Sequence, residues 1–256
     1  MDLTLYQWIL GGCATLFIGF SKTGMPGAGI IVVPLLAEAL GARRSVGTML
    51  PLLIFSDLFA VAWYRRHAKW DRILGLIPWV AVGMAAGVLA LKALGEAHGP
   101  QDRMNQLIGI LVLLMLGLRL AQNRMGGRIT PHSRGAVAVV GAGAGFTTTA
   151  SNAAGPIMAI YMQAMELPKT EFMGTTAWFF FLVNVAKLPL FIALSYANPA
   201  NPLVDADTIR TCVALAPFAA LGAVLGRRLL PWIPQRAFDG AVQALAALAA
   251  VRLILR

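Results

Sequence analysis

Two short polar stretches interrupt the long apolar runs of this 256-residue chain, and their residue types suit the binding of an anion. The first reads Ser21-Lys22-Thr23-Gly24-Met25-Pro26-Gly27 and the second Thr147-Thr148-Thr149-Ala150-Ser151-Asn152. Hydroxyl and amide groups donate hydrogen bonds, and an ammonium supplies charge. A helix restarting near Gly27 or Ala153 adds unpaired backbone N–H groups at the positive end of its dipole. Ser21, Lys22, Thr23, Gly24, Gly27, Thr148, Thr149, Ser151 and Asn152 are therefore candidate substrate-binding residues. Three further positions join them from the apolar runs: Asp57, Asn184 and Lys187.

Ionisable groups inside an apolar run mark pathways and relays more often than packing. Lys22 either neutralises an anionic substrate or snorkels to the surface. Asp57 either carries a coupling proton or pairs structurally with a base, and its counterpart in the second half is Asn184. Lys187 either faces a cavity or bonds Asp57. Other chemistry finds no residues to perform it. Neither a Walker A loop nor an HExxH or nucleophile-elbow pattern is present, and His67, His98 and His132 fall in loops. Cys13 and Cys212 lack partners at metal-ligand spacing and read as packing residues. The chain is expected not to be an enzyme and to use no metal or cofactor.

The elements that position these groups follow from composition. With 58% hydrophobic and 12% charged residues and a mean hydropathy of +0.72, the chain reads as an all-α polytopic membrane protein. Runs near the ~20 residues that cross a bilayer lie at 47–64, 73–94, 104–120, 172–196, 208–225 and 237–255. The net charge of +10 sits in short loops, where it sets orientation and meets lipid head groups, so nucleic acid is not expected as a partner. Met1-Asp2 lacks a basic n-region, so the first apolar segment is expected to be retained. A homo-oligomer is compatible with all of this.

The chain also repeats itself. Pro78, Gly83 and Gly87 recur at the same spacing as Pro217, Gly222 and Gly226, and Gly47-Thr48 recurs as Gly174-Thr175. The four glycines read as helix-packing positions. Arg65, Arg66, His67, Lys69 and Arg72 crowd one loop, Arg124, Arg128, His132 and Arg134 a second, and Arg227, Arg228 and Arg236 a third. The positive-inside rule puts these in the cytoplasm and the loop with Asp205 and Asp207 outside. The expected fold is two inverted repeats, residues 1–122 and 135–256, joined by a cytoplasmic linker at 123–134. Each repeat is a broken or re-entrant helix pair followed by three transmembrane helices. The alignment sets Lys22 against Thr149, Asp57 against Asn184 and Lys187 against Ala60. One feature opposes it: Arg43 and Arg44 fall on the outer side.

The glycine-rich break Gly24-Met25-Pro26-Gly27-Ala28-Gly29 with Pro34, then Gly41 and Ser45-Val46-Gly47-Thr48, resembles the sulfite exporter TauE/SafE family, also called the toluene-sulfonate uptake permease family. The resemblance covers nearly the whole chain. It departs at the usual consecutive glycines, reading Gly-Ala-Gly in the first copy and Asn152-Ala153-Ala154-Gly155-Pro156 in the second. The resemblance implies a secondary transporter of the bacterial inner membrane. It would move sulfite, a sulfonate or an organosulfonate such as sulfoacetate by alternating access, and the position of Asp57 inside an apolar run, read apart from the resemblance, makes it the candidate proton-coupling residue. A passive anion channel is the alternative.

Overall fold

The computed structural model describes residues 3–24, 28–96, 102–124, 134–229 and 235–255. Gly27, with Met25 and Pro26, lies outside the described residues, as do His98 and most of the 123–134 linker including Arg128 and His132. Among the described residues the regular elements are helical. They are α1 (Leu5–Thr23), α2 (Val32–Leu40), α3 (Ala42–Tyr64), α4 (Trp70–Glu96), α5 (Asp102–Arg124), α6 (Arg134–Ser151), α7 (Gly155–Ala164), α8 (Lys169–Ala197), α9 (Ala206–Leu229) and α10 (Gln235–Leu255). Five of these, α3, α4, α5, α8 and α9, contain stretches long and apolar enough to cross a membrane.

The polar stretches do not break the chain where their composition suggested. Helix α1 starts on a capping box between Thr4 and Gln7 and continues through Ser21, Lys22 and Thr23. Helix α6 likewise runs on through Thr147 to Ser151. The reason is that these hydroxyls bond their own helix. Ser21 Oγ donates to Ile18 O at 3.0 Å, Thr23 Oγ1 to Gly19 O at 3.2 Å, Thr147 Oγ1 to Gly143 O at 2.7 Å and Thr149 Oγ1 to Gly145 O at 2.8 Å. Ser151 Oγ donates to Thr147 O at 3.0 Å. The second break is therefore only the turn at residues 152–154. Asn152 makes it by taking a left-handed φ of 57° while its N–H returns to Thr148 O at 3.0 Å. Helix α7 restarts there with a proline in its first turn. On the first side, a short 3-10 turn at Ala28–Ile31 leads into α2.

At about 1.5 Å per residue, α1 and α6 are each some 27–28 Å long, so each is longer than the half-span expected of a re-entrant segment. Small residues let them approach neighbours closely. A Cβ on Gly19 would lie 1.9 Å from Ala219 O, and one on Gly145 2.2 Å from Val80 O. The contacts run in step: Leu16 meets Gly222 and Phe20 meets Gly226, while Ala142 meets Gly83 and Phe146 meets Gly87. Thus α1 lies on α9 as α6 lies on α4. This correspondence corrects the alignment by one residue, because it sets Lys22 against Thr148 and not Thr149.

Helices α3 and α8 run antiparallel along each other. Gly47 near the start of α3 packs on Leu203 just after α8, Asp57 meets Asn184 midway, and Gly174 near the start of α8 packs on Tyr64. At one end Lys69 pairs with Glu171 at 3.0 Å, Trp178 Nε1 donates to Arg65 O at 3.3 Å, and Arg227 stacks on Trp63. At the other, Arg43 donates to Asn201 O at 2.8 Å and Leu91 O at 2.9 Å. The oddly placed Arg43 is thus a clamp on the ends of α4 and the α8–α9 loop. Arg65, Lys69 and Arg227 thus lie at one end of this helix pair, and the loop that leads from α8 to Asp205 and Asp207 lies at the other.

Candidate functional site

The interrupted helices, α3 and α8 surround a cavity of about 60 Å³, room for a few waters or one small oxyanion. Ser21 and Lys22 reach it from the last turn of α1, Gly29 and Ile30 from the 3-10 turn, and Thr148, Asn152, Ala153, Gly155 and Pro156 from the α6–α7 break. Met49 and Leu53 face it from α3, and Thr176, Phe180 and Asn184 from α8. The first turn of α7 has no side-chain cap and borders the cavity, so its N–H groups suit a negative ligand. A Cβ at Gly29 would come within 2.9 Å of Ser21 Oγ, so a larger residue there would push that hydroxyl aside.

Two polar clusters build the walls. In the first, Lys22 Nζ lies 2.7 Å from Asp57 Oδ1, and Asn184 Nδ2 donates to Asp57 Oδ2 at 2.6 Å. The Lys22 contact is a close ion pair out of line for a hydrogen bond at Oδ1. Lys22 also stands 4.2 Å above the Phe180 ring, which shares its charge. Asp57 is wholly buried, whereas Lys22 keeps 13% of its side chain exposed toward the cavity. In the second cluster, fully buried Lys187 donates to Thr148 O at 2.9 Å, Thr148 Oγ1 at 2.9 Å and Asn152 Oδ1 at 2.7 Å. It thereby ties the C-terminal end of α6 to α8, where a cation meets the negative end of the helix dipole. Asn152 Nδ2 in turn donates to Val46 O at 3.1 Å, joining the break to α3.

The structure thus gathers Ser21, Lys22, Thr148, Asn152 and Asn184 at one cavity, with Asp57 and Lys187 directly behind them. It answers the question about Lys187, which bonds the α6–α7 break and not Asp57; that carboxylate goes to Lys22, whose chain enters from nearer by. Four candidates point elsewhere. Thr23 Oγ1 donates to Ala223 O at 2.7 Å and Tyr64 OH to Thr23 O at 3.3 Å, Gly24 packs on Gly226, Thr149 packs on Gly87, and Ser151 is bonded within α6. Thr23, Gly24 and Thr149 join helices, Ser151 is bonded within its own, and none of the four lines the cavity. Composition alone missed Thr176 and Phe180. A helical face would have found them, since Thr176, Phe180, Asn184 and Lys187 follow one stripe of α8. Two buried acceptors in this wall, Thr176 Oγ1 and Asn184 Oδ1, have no hydrogen-bond partner within the protein.

A family model described as sulfite exporter TauE/SafE matches residues 11–253. The chain belongs to the TauE/SafE family. No curated protein and no solved structure matches it. TauE/SafE membership, with the apolar helices, makes the chain a multi-pass membrane protein of a transporter family. It also gives the cavity a chemical direction, because a sulfur oxyanion is small, negative and rich in acceptors.

Proposed function

We propose that this TauE/SafE protein is a secondary transporter that carries a small sulfur-containing anion across the bacterial inner membrane by alternating access. Sulfite, a sulfonate or a small organosulfonate such as sulfoacetate fits the reading. The observation that carries it is the cavity itself: an ammonium, hydroxyls, amides and the uncapped start of α7 converge where two helices are interrupted between apolar walls.

Two inverted repeats are the frame of this proposal. The helices aligned by the repeat, α3 and α8, run antiparallel, and the aligned residues Asp57 and Asn184 touch at 2.6 Å. Equivalent positions meet only near the axis that relates them, so an axis through this contact, in the membrane plane, supports the inversion. The halves are alike but not identical. Helix α9 closes on α3, with Cys212 Sγ donating to Thr48 O at 3.2 Å. Its counterpart pair, α4 and α8, is separated by an apolar groove of about 860 Å³ lined by residues such as Val80, Met84, Val183 and Leu190. Exchange of those two arrangements would rock one half against the other around a fixed site.

Asp57 supplies the coupling step. A dianion that engages Lys22 takes the ion-pair partner from a wholly buried carboxylate, and a proton on Asp57 offsets its second charge. Anion and proton then move together. The test is counterflow in proteoliposomes with radiolabelled sulfite and with methanesulfonate, at imposed pH gradients. Saturable counterflow that rises with an inward proton gradient supports the proposal. Flux that never saturates and shows no counterflow supports a passive channel instead.

A further inference from the structure

The charges buried around the cavity do not cancel. Lys22 is answered by Asp57, but Lys187, with no exposed surface, has no carboxylate partner among the described residues. Its Nζ meets three oxygens at 2.7–2.9 Å, which matches the three N–H groups of an ammonium. All three oxygens belong to Thr148 and Asn152, and both residues line the cavity. Held as an ammonium by these three acceptors, Lys187 places its charge one residue behind the wall, linked to the cavity through a hydroxyl and an amide.

We propose that Lys22, Lys187 and Asp57 together set the valence of the substrate. Two positive charges and one negative leave a single positive charge, and a monoanion completes it. A dianion overshoots by one charge in a buried setting, where an unbalanced charge is strongly disfavoured. Asp57 is then the valence determinant: when it is neutral the site holds two positive charges and accepts a dianion. Lys187 is the cation that attracts substrate at rest, because Lys22 is already engaged. This rests on the anion-transport reading and adds to it which charge state is carried and which residue selects it.

The test compares two anions of nearly equal size and different valence, methanesulfonate and sulfate. Binding of each to the purified full-length protein is measured calorimetrically at pH 7.5 for wild type, Asp57→Asn, Lys187→Met and Lys187→Arg, and folding of each is checked by its melting curve. Wild type is expected to prefer methanesulfonate by about tenfold or more. Asp57→Asn is expected to move the ratio toward sulfate by a similar factor. Lys187→Met is expected to lose methanesulfonate binding, and Lys187→Arg to restore part of it. A methanesulfonate-to-sulfate ratio that is unchanged in folded Asp57→Asn overturns the valence proposal and leaves the transport reading standing. Failure of wild type to bind or transport any small anion overturns the transport reading, and this proposal with it.

Discussion

Replacing Lys22 with methionine tests the central ion pair by its energetics. Asp57 is wholly buried and keeps only the Asn184 amide when Lys22 is gone. Breaking one side of a buried pair costs roughly 3–5 kcal/mol, because the remaining charge is left without a counter-charge. Asp57→Asn is expected to cost less, about 1–3 kcal/mol. In that variant Lys22 still reaches the cavity and the Phe180 ring at 4.2 Å, and the new amide still faces Asn184. The double variant, Lys22→Met with Asp57→Asn, leaves neither member of the pair charged and is expected near the stability of Asp57→Asn alone. The single effects therefore fail to add by about 3–5 kcal/mol, the cost assigned to Lys22→Met. Denaturant unfolding of the four proteins in one detergent gives the cycle. If the double variant equals the sum of the singles to within about 0.5 kcal/mol, the pair is not the stabilising contact described here.

Three further outcomes are expected. Gly222→Ala would place a Cβ 1.9 Å from Leu16 O and Gly83→Ala one 2.0 Å from Ala142 O, so each should lower stability by about 1–3 kcal/mol, while Gly75→Ala, with open space around it, should not. Melting curves of the three variants read this directly. Thr176→Val removes a buried hydroxyl without a protein partner at nearly constant shape, so anion affinity should fall about tenfold with stability unchanged or raised, as calorimetry and melting would show. Asp205 precedes α9 and accepts from the Thr208 N–H at 2.7 Å and its hydroxyl at 2.8 Å. Burial alone would raise its pKa, but these bonds, with Arg44 nearby, outweigh that and hold it below the ordinary 3.8. Its stabilisation is therefore present above that value and lost as pH falls through the lower folded pKa, so Asp205→Ala should cost about 1 kcal/mol at neutral pH and nothing in stronger acid.

Much of this arrangement was legible in the residues. Hydropathy located the long helices, and the paired prolines and glycines marked where α4 and α9 meet α6 and α1. The polar stretches pointed to the cavity, whose wall takes Ser21, Lys22, Thr148 and Asn152 from them. What composition could not convey is where a helix ends. Thr147, Thr149 and Ser151 read as a break but bond backward along α6, and the turn falls on Asn152, a residue that tolerates a positive φ. Partner choice was equally hidden: Lys187 was the base set against Asp57, and only the packing of α1 on α3 brings Lys22 there in its place. Thr176 and Phe180 stayed out of view because a single hydroxyl and a ring in an apolar run look like core.

Equilibrium binding of methanesulfonate to wild type and to Thr176→Val/Lys187→Met, measured in parallel with counterflow in proteoliposomes, tests most directly whether this cavity is the transport site. Saturable binding and counterflow in the wild type, both lost in the folded double variant, are the predicted result. Counterflow that survives intact in the double variant would contradict it, because the anion would then cross without meeting the residues that line the cavity.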